Sequence, residues 1–406
     1  MSPIKLLTRN LVIILFSFSG LVVFNSDSSA IAQTEVTEPL AIPQNDPLLP
    51  PSNLQRELSP SEKKIIIAEI EALEIEANNR LAQGQQEQAF QLWFRQLRLY
   101  RAIAKRGAGA IDPLAEITAL GRVGEIAWQA NRKEELKVIT ERLNELYREE
   151  ENITTEFLTT LGVSYQQVRN LDSAIATYLT LLNRSSQAND IQLKRKYLET
   201  LGELYLDKFD YSQAAIIYEK LLALNDEELA EVSPENYLSQ LIRIYDYTKE
   251  PEQAIKVKEQ LLDYYTTQEN TEPIVDILIA LGDDYRTLDR VELAIQAYQE
   301  AVIFGQLLQQ LASISEALTK LGNLYQEQKQ YSLAIQTYNK LLDVEMQAYN
   351  SYGVMNSYDS LGQIYLLIED YERALSVFTE GLKIAQSLDV RVSYFTDLID
   401  RAKVKN

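Results

Sequence analysis

An all-α chain, wound as a right-handed superhelix of stacked helical hairpins, is the fold this sequence predicts, on three observations. Tyr165, Tyr205, Tyr245, Tyr285, Tyr325 and Tyr365 stand 40 residues apart. Ala174, Ala214, Ala254, Ala294, Ala334 and Ala374 keep the same step, so one unit is copied six times. Within a copy the apolar positions follow helical spacing. Leu198, Leu201, Gly202 and Tyr205 share one face of a first helix, and Ala214, Tyr218 and Leu221 repeat that spacing on a second. A two-helix unit cannot bury its apolar face alone, so neighbours stack into a solenoid, an architecture whose usual work is binding.

The elements follow in order. Lys5 and Arg9 form a basic start, Leu11 to Phe24 an apolar run of 14 residues, and Ala30-Ile31-Ala32 a small-residue cleavage site before Gln33. These are the parts of a signal peptide over residues 1–32. A helix needs about 20 apolar residues to span a bilayer, so the run is short and no stable membrane span is expected after cleavage. Arg9 has no twin, which favours the general secretory route and a place in the periplasm or thylakoid lumen. Residues 33–58 contain Pro39, Pro43, Pro47, Pro50 and Pro51 without a periodic apolar pattern, and are expected to be a disordered, extended tether.

Order begins at Ser59-Pro60-Ser61-Glu62, an N-cap, a proline at the first helical position and a capping glutamate. Residues 59–150 read as two degenerate hairpins. Gly84, Ala89 and Trp93 mark the first; Asp112-Pro113 opens a helix carrying Gly121, Gly124 and Trp128 in the second. They fall outside the 40-residue frame, as end units that cap an array do. Residues 151–388 hold the six copies, and residues 389–406 form the opposite cap, with Arg391, Asp397, Asp400, Arg401 and Lys403 outward.

The segments from Leu161, Leu201, Leu281, Leu321 and Leu361 each read Leu-Gly, two residues, Tyr, and later Ala, three residues, Tyr or Phe. This resembles the tetratricopeptide repeat family, over about Leu158 to Leu382. The copy from Leu241 departs most, with Ile242 for the glycine, Lys258 for the second aromatic and Pro251 opening the second helix. The family unit is about 34 residues, so the extra residues here imply longer helices or joins, as in the repeats of kinesin light chain. Most repeat-frame tyrosines read as core.

Lys and Arg number 39 against 59 Asp and Glu, a net charge of −20, which disfavours nucleic acid and anionic membranes as partners. Cysteine and histidine are both absent. That excludes disulfides, thiolate or imidazole metal sites and any nucleophile–histidine triad. No phosphate loop, HExxH, EF-hand or GxSxG motif occurs, and the chain is not expected to be an enzyme.

The resemblance implies that first helices line a concave groove. There Glu199, Glu203 and Asp207 share one stripe, and Asp246, Asp276 and Asp283 extend it across neighbouring repeats, with Arg243 and Arg286 as interruptions. An acidic chain also places acids on every solvated face, but their alignment between repeats would repel unless something is gained. The chaperone-binding members hold a terminal carboxylate with Lys and Arg. The first of those positions is occupied here by Thr159, Glu199, Ser239, Ile279, Thr319 and Asp359, none basic. The partner expected is therefore another protein, through an extended basic or neutral segment. A carboxylate site for Mn²⁺ or Ca²⁺ and a self-associating structural protein are the alternatives. In layout (export, repeat class, acidity) the chain is similar to cyanobacterial periplasmic tetratricopeptide assembly factors of photosystem II, which implies an assembly role.

Overall fold

The computed structural model describes residues 40–41, 46–49, 56–106, 113–228 and 233–405. The leader and its cleavage site lie outside the described residues. Among the latter there are 17 helices and no strand, joined as consecutive hairpins. The degenerate pairs are α1 (Pro60–Ala82) with α2 (Gln86–Arg106) and α3 (Pro113–Gln129) with α4 (Lys133–Glu149). The six repeats are α5 (Thr155–Gln167) with α6 (Leu171–Gln187), α7 (Ile191–Asp207) with α8 (Tyr211–Glu228), and α9 (Glu235–Thr248) with α10 (Pro251–Thr267). They continue as α11 (Ile274–Thr287) with α12 (Val291–Leu308), α13 (Leu311–Glu327) with α14 (Tyr331–Gln347), and α15 (Ser351–Leu367) with α16 (Tyr371–Leu388). A last helix, α17 (Val392–Lys405), packs on α16. None is long and apolar enough to cross a membrane.

The residues beyond the usual repeat length go into the helices, because the joins are tight. At the α13–α14 turn Lys329 takes φ +57°, its N–H donates to the Gln326 carbonyl, and the Gln330 N–H donates to the Tyr325 carbonyl. That closes the helix end without glycine. Arg169, Phe209, Lys249, Asp289 and Glu369 occupy the same left-handed position in their turns. The residue after each often opens the next helix. Asn170, Asp210 and Asp370 accept the N–H groups of Ser173, Gln213 and Arg373, so one residue ends a helix and caps another.

Between the two helices of a repeat the decisive contact is glycine against an aromatic ring. A methyl group on Gly282 would lie 2.3 Å from the Tyr298 ring, on Gly322 2.7 Å from Tyr338, and on Gly362 2.3 Å from Phe378. At Gly162 and Gly202 the gap to Tyr178 and Tyr218 is wider, 3.1 and 3.0 Å. Tyr298, Tyr338 and Phe378 are fully buried and fill the space their glycines leave. Most repeat tyrosines, Tyr165, Tyr245, Tyr325 and Tyr365 among them, are core.

Their phenols set an alkaline limit on the fold. Burial pushes Tyr165, Tyr178, Tyr218 and Tyr338 from 10.0 up to about 12. An acid whose folded pKa is raised stabilises the fold below its unfolded value, and that contribution is lost as pH rises from there through the folded value. Stability is therefore expected to hold below pH 10 and to fall between about 10 and 12. Tyrosinate absorbance should rise together with loss of helicity; ionisation of these phenols in an intact helical array would contradict the packing.

Two regions depart from the repeat plan. Helix α3 packs directly on α5, because Gly121 and Gly124 let the backbones close: added methyl groups would stand 2.3 Å from Gln167 and from Val168. Trp93 is fully buried, whereas Trp128, at the end of α3, is 51% exposed and is no core residue. The described part of residues 33–58 is also not a free tether. Leu40 is buried in the main core, Leu49 and Leu58 in the cluster between α1 and α2, and Asp46 pairs with Arg95 at 3.3 Å. Arg101 donates to the Leu40 carbonyl at 3.2 Å. Leu40, Leu49 and Leu58 are single anchors, so they carry no apolar period to read.

Candidate functional site

The copy that breaks the pattern supplies the site. Ile242 stands where the glycine stands elsewhere, and Lys258 where the ring stands. A β-branched side chain there leaves no room for a tyrosine, and the thin stem of a lysine passes instead. Lys258 is 4% exposed, and its ammonium donates to Asp246 at 2.8 Å and to Asp284, on the next repeat, at 2.7 Å. A pocket of about 530 Å³ lies between the third and fourth repeats. Its walls include Tyr245, Asp246, Glu250, Lys258, Asp283 and Asp284.

Burial raises the Asp284 carboxyl above its ordinary range, the hydrogen bond from Lys258 opposes that, and Asp246 and Asp283 add to the rise. Asp246 and Asp283 keep 47% and 44% of their side chains exposed. Asp246 has an oxygen left for a donor arriving from solvent, whereas both oxygens of Asp283 already accept, Oδ1 from Tyr298 and Lys320 and Oδ2 from Lys320. The wall presents four carboxylates, Asp246, Glu250, Asp283 and Asp284, beside the two lysines Lys249 and Lys258.

At the α7–α8 turn and the end of α9 lies an aromatic cluster that sequence reasoning missed. Tyr211 and Tyr247 have ring centroids 4.6 Å apart, with Phe209 at 6.5 Å from Tyr211. Phe209 is 75% exposed at a left-handed position, φ +59°, where the equivalent residues are Arg169, Lys249, Asp289, Lys329 and Glu369. The available signal was that one turn in six carries an aromatic at a polar place. The left-handed position is common to all these turns, and what sets Phe209 apart is an exposed ring at that place.

The predicted acids are placed as follows. Glu199 accepts the Tyr237 hydroxyl at 2.6 Å and lies 3.6 Å from Arg195, and Asp207 pairs with Arg169 of the preceding repeat at 2.8 Å. Asp283 accepts the Tyr298 hydroxyl at 2.7 Å and pairs with Lys320 of the next repeat at 2.8 Å. Asp276 is exposed and accepts Ser313 at 3.2 Å, and Glu203 is exposed. Only Asp246 and Asp283 come together, in the cavity wall. The repulsion expected along the stripe is answered within the array, because cations of adjacent repeats neutralise Asp207 and Asp283. Arg286 with Glu327 continues this cross-repeat pairing at 2.6 Å.

Among the described residues no group of three carboxylates is placed to hold a metal ion. Asp246 and Asp284 already share the Lys258 ammonium, and Asp283 takes that of Lys320.

Residues 313–387 match the family model described as tetratricopeptide repeat. Over that stretch the chain is similar to the tetratricopeptide repeat. The matched stretch covers α13 to α16, where the glycine–ring pairs are regular. No curated protein matches the sequence. Among solved structures the chain is similar to BtubC from P. vanneervenii, at 18% identity and TM-score 0.37, over 54% of this chain and 92% of that one. It is similar to a signal transduction ATPase with a tetratricopeptide repeat sensor from Pyrococcus horikoshii, at 15% identity and TM-score 0.41, over 86% of this chain and 50% of that one. A third likeness is to aspartyl phosphate phosphatase F from Bacillus subtilis, at 15% identity and TM-score 0.39, over 69% and 78%. The tetratricopeptide solenoid is suited to binding other proteins.

Proposed function

We propose that this chain is an exported, non-catalytic scaffold that holds an extended basic or neutral segment of a partner protein, in an assembly role. The observation that carries the reading is the acid-walled cavity at the one repeat that gave up its glycine and its ring. A basic side chain of the segment enters it and is held by Asp246, with Asp283 adding its charge beside it. Glu250 supports them from the wall, and Glu199, Glu203, Asp207 and Asp276 bias the approach through long-range charge. The aromatic cluster of Phe209, Tyr211 and Tyr247 supplies apolar contact for the neighbouring residues of the same segment. Export rests on the leader pattern of residues 1–32 and places the work in the periplasm or thylakoid lumen. The assembly role rests on layout, as in the photosystem II assembly factors with the same repeat class.

The test is capture of arrayed peptides by the purified chain. Extended peptides with one or two Lys or Arg are expected to be retained and their Glu-substituted versions not. Asp246→Asn with Glu250→Gln should weaken capture by about tenfold, since each partly exposed pair contributes about 0.2–1 kcal/mol, and added salt should act in the same direction. Equal retention of basic and acidic peptides would end this reading.

A further inference from the structure

A second groove, at the start of the repeats, is built from different materials. Helices α4 and α6 both pack on α5 and leave about 320 Å³ open between them. Asn144, Tyr147 and Arg148 of α4 form one wall, and Ser173, Thr177 and Thr180 of α6 the other. Tyr165 of α5, which is buried, lies between them. The opening follows from the sequence of α6. At the place of Thr180 the other repeats carry Lys220, Gln260, Glu300, Lys340 and Glu380, and at the place of Ser173 a glutamine, a leucine or an arginine. Only α6 has short side chains at both, so its surface is left bare.

The walls fix the chemistry of an occupant. In a chain of net charge −20 none of the groove residues is a carboxylate, so the site does not select a cation. Its one charge, Arg148, is paired with Glu141 at 2.8 Å and donates to the Asn144 carbonyl at 3.1 Å, so an anion is not selected either. What remains is neutral and hydrogen-bonding. Thr177 and Thr180 donate to the Ser173 and Ala176 carbonyls at 2.8 and 3.0 Å, and Tyr165 donates to Asn144 Oδ1 at 2.8 Å. Their three oxygens are left as acceptors. The Asn144 amide keeps its N–H donors, and the Ser173 and Tyr147 hydroxyls make no hydrogen bond within the described residues. The Tyr147 ring, 41% exposed, adds a flat apolar wall.

A sugar ring meets all of these groups at once. Its hydroxyls donate to the threonine oxygens and accept from the amide, while its C–H face lies on the aromatic one. An extended peptide would need recesses for apolar side chains, and Ala176 is the one aliphatic residue in the lining. We propose that the α4–α6 groove is a binding site for a neutral saccharide, with Tyr147 against one face of the ring and Asn144, Thr177 and Thr180 on its hydroxyls. It does not depend on the acid-walled pocket, so a glycan and a partner protein can be held together.

The experiment is saturation-transfer NMR on the purified chain, with glucose, galactose, N-acetylglucosamine and maltose as probes. At least one is expected to receive saturation at its ring C–H protons at millimolar concentration. Tyr147→Ala should weaken that binding about fivefold by removing the ring face. Ser173→Gln with Thr180→Lys, which gives α6 the side chains found at Gln213 and Lys220 of the next repeat, should abolish it with circular dichroism unchanged. Saturation of none of the four probes would overturn the proposal, as would equal transfer in the variant with the filled groove. So would displacement of the sugar by an uncharged serine-asparagine peptide, since peptide amides would then be the better ligand.

Discussion

Replacing Lys258 by methionine is expected to destabilise the array by about 3 kcal/mol, at the lower end of what removing one partner of a buried ion pair costs. The loss comes less from the missing contact than from what remains. Asp284 keeps 15% of its side chain exposed and would be left beside Asp246 and Asp283 without the ammonium that now offsets them. Two controls separate this cause from simple loss of packing. Asp284→Asn in the same background should recover part of the stability. The double change Ile242→Gly with Lys258→Tyr, which rebuilds the pair found in five other repeats, should be much less harmful than the sum of its single changes. Lys258→Tyr alone has no space beside Ile242, and Ile242→Gly alone leaves a void and a glycine within a helix. Additive effects in that cycle would show that the two positions do not share one space.

The repeat glycines give the second large effect, graded by distance. Ala is preferred over Gly inside a helix by about 1 kcal/mol, while overpacking a buried site costs about 1–3 kcal/mol. At Gly162 and Gly202, where the new methyl group would meet the ring at 3.1 and 3.0 Å, the two terms offset and substitution should be near neutral. At Gly282 and Gly362 the gap is 2.3 Å and the ring is fully buried, so Ala should be destabilising by about 1–2 kcal/mol net. Denaturant midpoints of the four variants give the order directly. Equal midpoints would mean that the rings yield easily and that the glycines do not set the spacing of the helices.

The array was legible because its period rests on residues that act within about 20 positions of one another. Gly322 with Tyr338, or Asp370 at a helix start, can be read from one repeat without knowing how repeats stack. The site was only half legible. Ile242 and Lys258 stand out against their equivalents, but that Lys258 lines a pocket depends on the next repeat bringing Asp283 and Asp284 to its far wall. The pairing of Asp207 with Arg169, and of Asp283 with Lys320, depends on the offset between neighbouring hairpins, which composition and spacing do not encode. The burial of Leu40, Leu49 and Leu58 was missed for a related reason, since they pack on helices that begin only at Pro60.

The central claim is that the altered third repeat is where a partner is held. The most direct measurement places a photo-crosslinking residue at Thr287 on the cavity rim and compares the wild type with the Ile242→Gly, Lys258→Tyr variant in the cell envelope. The variant lacks the Lys258 ammonium that pairs Asp246 and Asp284, so circular dichroism first checks that its array is folded. The account predicts that a discrete partner is cross-linked to the wild-type cavity and lost from the refilled one. The same partner, cross-linked with equal yield to both, would contradict it.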